Sequence, residues 1–442
     1  MRTFRIGGIH PPENKLSAGK KITALAAPKQ VIIPLSQHIG APAQAVVKKG
    51  DMVKVGTLLA KAGGFVSANI HSSVSGKVNK IDNAIDASGY RRPAVFIDVE
   101  GDEWEETIDR SETLVKECNL SAKEIIDKIA AAGVVGMGGA TFPTQVKLMP
   151  PPGSKAEIVI VNAVECEPYL TADHSLMLAK GEQILVGVTI LMKAVGVNRA
   201  VIGIENNKPD AIAHMQKLAV QYPGVEIMPL KVKYPQGGEK QLIDAVIGKQ
   251  VKSGALPISA GAIVQNVGTV YAVYEAVQKN KPLFERVVTV TGKVVKEPSN
   301  FLVRMGTPIS VLIEAAGGMP ENTGKIIGGG PMMGKALISA EVPVCKGSSG
   351  ILLMTKEESV RKPMHDCIRC AKCVSACPMG LNPAFLMKAT VYQNWEMAEK
   401  ENIQDCIECG SCSYTCPAYR PLLDNIRVGK AKVMGIIRAR KK

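Results

Sequence analysis

The stretch Cys367-Ile-Arg-Cys370-Ala-Lys-Cys373-Val-Ser-Ala-Cys377-Pro378 returns further along the chain as Cys406-Ile-Glu-Cys409-Gly-Ser-Cys412-Ser-Tyr-Thr-Cys416-Pro417. Two residues between ligands let a tight loop wrap three corners of an iron–sulfur cube. A fourth cysteine then closes the cube from another segment, and the prolines end the loops. Zinc sites use paired Cys-x2-Cys units, which two identical four-cysteine runs do not match. Disulfides fit a chain that lacks a secretory signal still less. Of the 11 cysteines, Cys118, Cys166 and Cys345 lie outside the runs and read as small buried hydrophobes. This end of the molecule passes single electrons, and the spacing says nothing of the substrate.

The repeated run is the spacing of two-cluster bacterial ferredoxins, in which the fourth cysteine of each run ligates the other cluster. It assigns Cys367, Cys370, Cys373 and Cys416 to one [4Fe–4S] cluster. Cys406, Cys409, Cys412 and Cys377 hold the second. A ferredoxin-like helical domain is therefore expected over residues 358–426, followed by a basic C-terminal tail over 427–442.

Toward the N-terminus, residues 286–357 read as short strands, Val287–Val290 and Leu312–Glu314 among them, broken at Gly328-Gly329-Gly330-Pro331. This segment resembles the soluble-ligand-binding β-grasp module. Over residues 111–285, apolar strands alternate with helical patterns: Glu157–Asn162, Ser175–Val195, Arg199–Glu205, Pro209–Gln221, Val225–Val232, Glu239–Ile247, Ala262–Asn266 and Thr269–Gln278. Such alternation predicts an α/β domain on a largely parallel sheet, most often used to bind nucleotides. Its first helix opens at Ser121, with Glu124 completing a capping box. Residues 1–110 hold a small all-β unit around Val47-Lys-Lys-Gly50-Asp51-Met-Val53 and Ser73-Val74-Ser75-Gly76-Lys77-Val78. It resembles the barrel-sandwich hybrid of lipoyl and biotinyl carriers. Its turn, Gly63 to Asn69, lacks the lysine that carries their prosthetic group, so a structural unit is expected.

A second motif lies in the α/β segment, at Gly133-Val-Val-Gly136-Met137-Gly138-Gly139-Ala140-Thr141-Phe142-Pro143-Thr144-Gln145-Val146-Lys147. Clustered glycines let backbone N–H groups approach a phosphate or a flavin ring, and Lys147 can balance charge. A helix rather than a strand leads into the loop, so it is not a Rossmann fingerprint. Three further phrases follow in order: Val161-Asn162-Ala163-Val164-Glu165-Cys166-Glu167-Pro168, Tyr234-Pro235-Gln236-Gly237-Gly238-Glu239 and Val264-Gln265-Asn266-Val267-Gly268-Thr269. Together the four resemble the FMN- and NADH-binding subunit of respiratory complex I and its bacterial hydrogenase relatives. The resemblance implies that Gly136, Gly138, Gly139, Ala140, Lys147, Asn162, Gln265, Asn266 and Thr269 hold FMN. It implies that Phe142, Glu165, Glu167, Tyr234 and Glu239 lie near NADH. Two positions depart from the family: Val164 replaces an acid of its Asn-Ala-Asp-Glu motif, and Gly238 replaces the first of its paired glutamates.

The opening phrase Phe4-Arg5-Ile-Gly7-Gly8-Ile9-His10-Pro11-Pro12, the barrel, the flavin domain, the β-grasp module and the twin clusters occur in one order. That order is similar to the RnfC family across essentially the whole chain. The resemblance implies a peripheral electron-transfer subunit of a membrane-embedded Rnf complex that couples ferredoxin and NAD(H) to Na+ or H+ movement, with the other Rnf proteins as partners. NADH yields electrons in pairs and a cluster takes them singly, so FMN is expected as the converter. No side chain is expected to act as nucleophile, acid or base. Two alternatives stand beside this reading: a cobalamin-reductase-type flavoprotein, and a non-catalytic iron–sulfur relay.

The 442 residues carry a net charge of +14, half of it in residues 361–442. The segment from Arg427 lacks the aromatics of a nucleic-acid surface, so an acidic partner, an anionic membrane face or a plain solvated tail fits better. The N-terminus has no secretory core, and the uncharged stretch Ser253 to Tyr274 holds Pro257, Gln265 and Asn266, which hydrocarbon would leave unsatisfied. It reads as buried strand and loop. A peripheral protein at the cytoplasmic face of the membrane is expected.

Overall fold

The computed structural model describes residues 1–440. In strands Gln30–Pro34 and Arg91–Val99 every second residue is apolar, so the antiparallel pair turns Val31, Ile33, Val95 and Ile97 to one fully buried face. Gly76–Ile85 and Met52–Val53 extend that sheet. A second sheet of Gln44–Ala45, Leu58–Lys61 and Ile70–His71 closes over it through Leu59, Ala60 and Ile70.

The α/β domain stands on four parallel strands: β1 (Ile158–Asn162), β2 (Ala200–Glu205), β3 (Val225–Leu230) and β4 (Ala262–Asn266). Their residues are apolar on both faces because helices cover both. Val159, Val161, Ile202 and Ile263 pack beneath α1 (Ala122–Ala131), α2 (Ala172–Val195), α3 (Pro209–Ala219) and α5 (Val267–Gln278). Ile158, Ile160, Val201 and Val264 pack against α4 (Glu239–Ile247) on the opposite face. The capping box forms at the start of α1: Ser121 Oγ accepts from Glu124 N, and Glu124 Oε2 accepts from Ser121 N. Strand order is β3-β2-β1-β4. The chain thus steps one way from β1 and later returns to its other side, leaving a switch point between β1 and β4. In open α/β sheets the crevice beyond the carboxyl ends at that point is where ligands bind.

Among the described residues one helix, α2, is long and apolar enough to cross a membrane, and most of it is buried in this domain. The Ser253–Tyr274 stretch holds a 3-10 turn, β4 and the start of α5, the helix whose pattern was read from Thr269.

The next sheet has the order Ile22–Ala24, Ser299–Arg304, Glu285–Thr291, Gly350–Thr355, Thr323–Gly328, Lys335–Ala336. Its edge strand comes from the N-terminal segment and runs parallel to Ser299–Arg304. Leu312–Glu314, expected as strand, lies in helix Ile309–Ala315: Ile309, Leu312 and Ile313 recur at helical spacing and fill the core under the sheet. Upstream of the edge strand, Phe4 is buried, and Arg2 and Ile9 form bridges to Leu230 and Tyr234.

The C-terminal domain packs α6 (Pro383–Val391) against α7 (Leu422–Arg440). This packing corrects the solvated-tail reading of the residues from Arg427. Ile426, Gly429 and Val433 form a buried stripe on α7, and a Cβ on Gly429 would lie 2.1 Å from Thr390 Oγ1 of α6. Arg427 and Lys430 reach Glu408, and Arg440 pairs with Glu399. Lys441 and Lys442 lie outside the described residues.

Candidate functional site

Cys377, Cys406, Cys409 and Cys412 line one pocket, walled by Leu381, Leu386, Leu423 and Ile426. Burial first, and the neighbouring thiols after it, push Cys412 up to about 12 and Cys406 up to about 11. Thiols so placed ionise only when a cation arrives with them. Among the described residues no three His, Cys, Asp or Glu side chains converge on a single ion. A cavity ringed by four thiols suits a cube several ångströms across instead. Cys373 and Cys416 share a small core with Met387 and Leu422, and Cys367 and Cys370 sit on the exposed loop beside them. The structure thus brings Cys377 to the second run and Cys416 to the first.

At the switch point, Asn162 and Asn266 end β1 and β4 as register partners. The glycine loop arrives over them from α1. Gly133 turns it with φ +64, and a Cβ there would meet Asn69 O at 2.2 Å, so only glycine fits. Met137 N donates to Thr269 Oγ1 at 2.9 Å, and Gly136 N to Phe142 O. A Cβ on Gly138 would lie 2.8 Å from Asn266 Nδ2, while the backbone of Gly138, Gly139 and Ala140 is open to solvent. Asn162 Nδ2 donates to Gly237 O at 2.8 Å. Lys147 Nζ reaches Glu239 Oε1 at 2.8 Å and Val264 O at 3.2 Å. Gln265 is 2% exposed with neither side-chain polar atom paired. Each such orphan costs about 1–3 kcal/mol, which a ring bearing both donors and acceptors would relieve. These residues fit a flavin.

Asn266 Oδ1 caps α5 by accepting from Gly268 N and Thr269 N, while Nδ2 donates to Asp173 Oδ2 at 2.7 Å. Burial, then Glu165, pushes Asp173 up to about 7. The root of the loop is pinned by Lys346, whose Nζ donates to Gly133 O at 2.6 Å and Asn69 O at 2.7 Å. Arg286 donates to the Lys346 carbonyl. Asp173, Arg286 and Lys346 were missed in the sequence. No local pattern marks them, since Arg286 follows Glu285 and Lys346 opens a Gly-Ser-Ser-Gly turn.

The five residues expected near NADH do not converge. Phe142 and Glu239 stand at the loop and the adjoining α4 terminus. Glu165 is turned inward, its carboxylate accepting from Asp173 N and His174 N at the start of α2. Glu167 is half-buried against the β-grasp domain, accepting from Met332 N and Met333 N. Burial raises its carboxyl above the usual range. Tyr234 is 2% exposed, and its hydroxyl donates to Cys409 O at 2.8 Å. Glu165 thus serves a helix terminus within its own domain, while Glu167 and Tyr234 join the α/β domain to the β-grasp and cluster domains.

Both family departures have packing reasons. Val164 points into the apolar core beside α4, and its carbonyl accepts from Lys208 Nζ. Gly238 leaves room for Gln241, whose oxygen a Cβ would meet at 2.4 Å and whose Nε2 donates to Pro378 O, next to Cys377. The thiols outside the runs are structural: Cys166 Sγ accepts from Gly237 N, and burial pushes Cys345 up to about 12.

Four family models match the chain. The RnfC barrel sandwich hybrid domain covers residues 3–102, the Nuo51 FMN-binding domain 129–275, the SLBB domain 287–336 and a 4Fe-4S dicluster domain 359–417. Among curated proteins, the C component of the proton-translocating ferredoxin:NAD(+) oxidoreductase complex of Clostridium ljungdahlii is 48% identical, over 98% of this chain and 94% of that one. The C component of the Na(+)-translocating complex of Acetobacterium woodii is 44% identical, over 98% and 97%. Its counterpart in the ion-translocating oxidoreductase complex of Rhodobacter capsulatus is 41% identical, over 98% and 84%.

Proposed function

The chain belongs to the RnfC family of ion-translocating ferredoxin:NAD(+) oxidoreductase complexes, and from that premise we propose that it is the NAD(H) port of such a complex. A flavin held at the switch-point crevice would exchange hydride with NAD(H), and the eight cysteines of the two runs would hold the clusters that take its electrons singly. FMN supplies the conversion between paired and single electrons.

The chain's own residues have narrower tasks. The open backbone of Gly138–Ala140 and the Asn162 and Gln265 side chains hold FMN, with Lys147 as the local cation. The nucleotide approaches along Phe142 and Glu239, since Glu165, Glu167 and Tyr234 are spent elsewhere. Cys377, Cys406, Cys409 and Cys412 gather on the side of the cluster domain that meets Tyr234 and would hold the cluster first in line, while Cys367, Cys370, Cys373 and Cys416 would hold the second. The observation that carries this order is the Tyr234 hydroxyl on Cys409 O, at the contact between the α/β and cluster domains. Gly7 and Gln241 press on the Cys377–Pro378 segment of the same cavity.

The protein is peripheral, on the cytoplasmic face, and ions move through other members of the complex. The relatives' names disagree on the ion, H+ in one and Na+ in another. Titration of the anaerobically purified chain with NADH tests the proposal. One flavin and about eight irons are expected per chain, with flavin absorbance lost before the clusters bleach. Full iron with no flavin, and clusters that NADH leaves oxidised, would leave only a relay.

A further inference from the structure

Residues 360–372 are exposed without a break, and 361–371 form neither helix nor strand. Ordered loops of this length are uncommon in compact domains and usually functional. The strip is nevertheless held in place. His365 N donates to Ala418 O, Arg420 donates to the His365 carbonyl, and Arg361 pairs with Asp424. Along it Val360, Met364 and Ile368 stand outward at 71%, 57% and 70% exposure, and Tyr419 adds a ring beside Lys362. Cations flank them: Arg361, Lys362, Arg369 and Lys372, against one acid, Asp366. An apolar centre with a mainly cationic rim is the pattern of a docking face. This one contains two cluster ligands, Cys367 and Cys370.

Resting on the electron order above, we propose that the strip 360–372 is the surface where this chain meets the redox partner within its complex, and that the partner presents carboxylates around an apolar centre. The cluster proposed to lie nearer the flavin faces Tyr234, whereas the ligand loop of the other lies in the strip. One electron passes per step. A cluster held by Cys367, Cys370, Cys373 and Cys416 would be oxidised as the partner's centre is reduced, or the reverse, with no bond or proton changing hands. The cations steer the approach, and the apolar side chains lose water at contact.

The test adds the purified chain back to a complex depleted of it, at low and high salt, using Lys362→Glu with Met364→Glu. Val360→Ser serves as a milder second variant and Val220→Glu as a distant control. Wild-type association should weaken as salt rises. The double variant should bind about tenfold more weakly or worse, the milder one less so, and the control not at all differently. NADH should still bleach the clusters of every isolated variant. A double variant that rejoins as tightly as wild type overturns the proposal. So does self-association of the isolated chain, or its binding to anionic vesicles, if the same substitutions abolish it. Failure of NADH to bleach the wild-type clusters would instead sink the electron order and leave the docking result readable.

Discussion

The cluster domain and the flavin cradle are assembled by opposite means. Cys406, Cys409 and Cys412 sit on one loop whose spacing alone sets them around a cavity, with only Cys377 brought from elsewhere. The cradle draws Gly138, Asn162, Gly237 and Gln265 from four separate segments, and its geometry exists only because the parallel sheet aligns Asn162 with Asn266. A site built by local spacing fails one ligand at a time. A site built by packing fails when any wall moves.

Cys412→Ala should have the largest effect on one side of that comparison: about half of the iron lost, with the flavin retained. Iron and flavin analysis of the anaerobic protein checks this, and equal loss of both would show that the two regions are not separable. Gly138→Leu is the converse. The side chain must enter the space of Asn266, at a cost of about 3 kcal/mol, or on the order of a hundredfold in FMN affinity by fluorescence titration. Iron content should not move, and unchanged FMN affinity would refute the cradle.

Lys346 gives the cradle a pH signature of its own. Burial holds its amine down to about 7 from an ordinary 10.5. Between those values the folded chain binds fewer protons than the unfolded one, so stability should rise with pH across the window, by up to about 1.4 kcal/mol per unit. Below about 7 both states are protonated and this dependence ends. Lys346→Met should flatten the rise in denaturant unfolding measured at pH 7 and pH 9. An equal slope in the variant would place the effect elsewhere. The smallest effect belongs to Gln241→Leu, which removes the hydrogen bond to Pro378 O at 3.1 Å and should loosen cluster-domain docking by about 1 kcal/mol. Unfolding followed at the cluster absorbance measures it, and no change would mean that Tyr234 and Gly7 carry the contact alone.

Some features were legible because their signals are local. The cysteine spacing, the Ser121–Glu124 capping box and the alternation of β1 to β4 with helices each repeat within a few residues, and each appears in the structure where it was read. Leu312–Glu314 was misread because three apolar residues suit strand and helix equally. Arg427 onward was misread because its cations outnumber the Ile426 and Val433 stripe that buries it.

By itself, then, the sequence determined the order of domains and the class of cofactor, since those rest on short-range periods and spacings. Only the tertiary structure decided what each polar side chain bonds. Glu167, Tyr234 and Glu239 are each taken by a partner far away in sequence, and Glu165 by a helix terminus. Whether a polar side chain is available depends on what else is buried against it, and that information lies in contacts between segments rather than in any one of them.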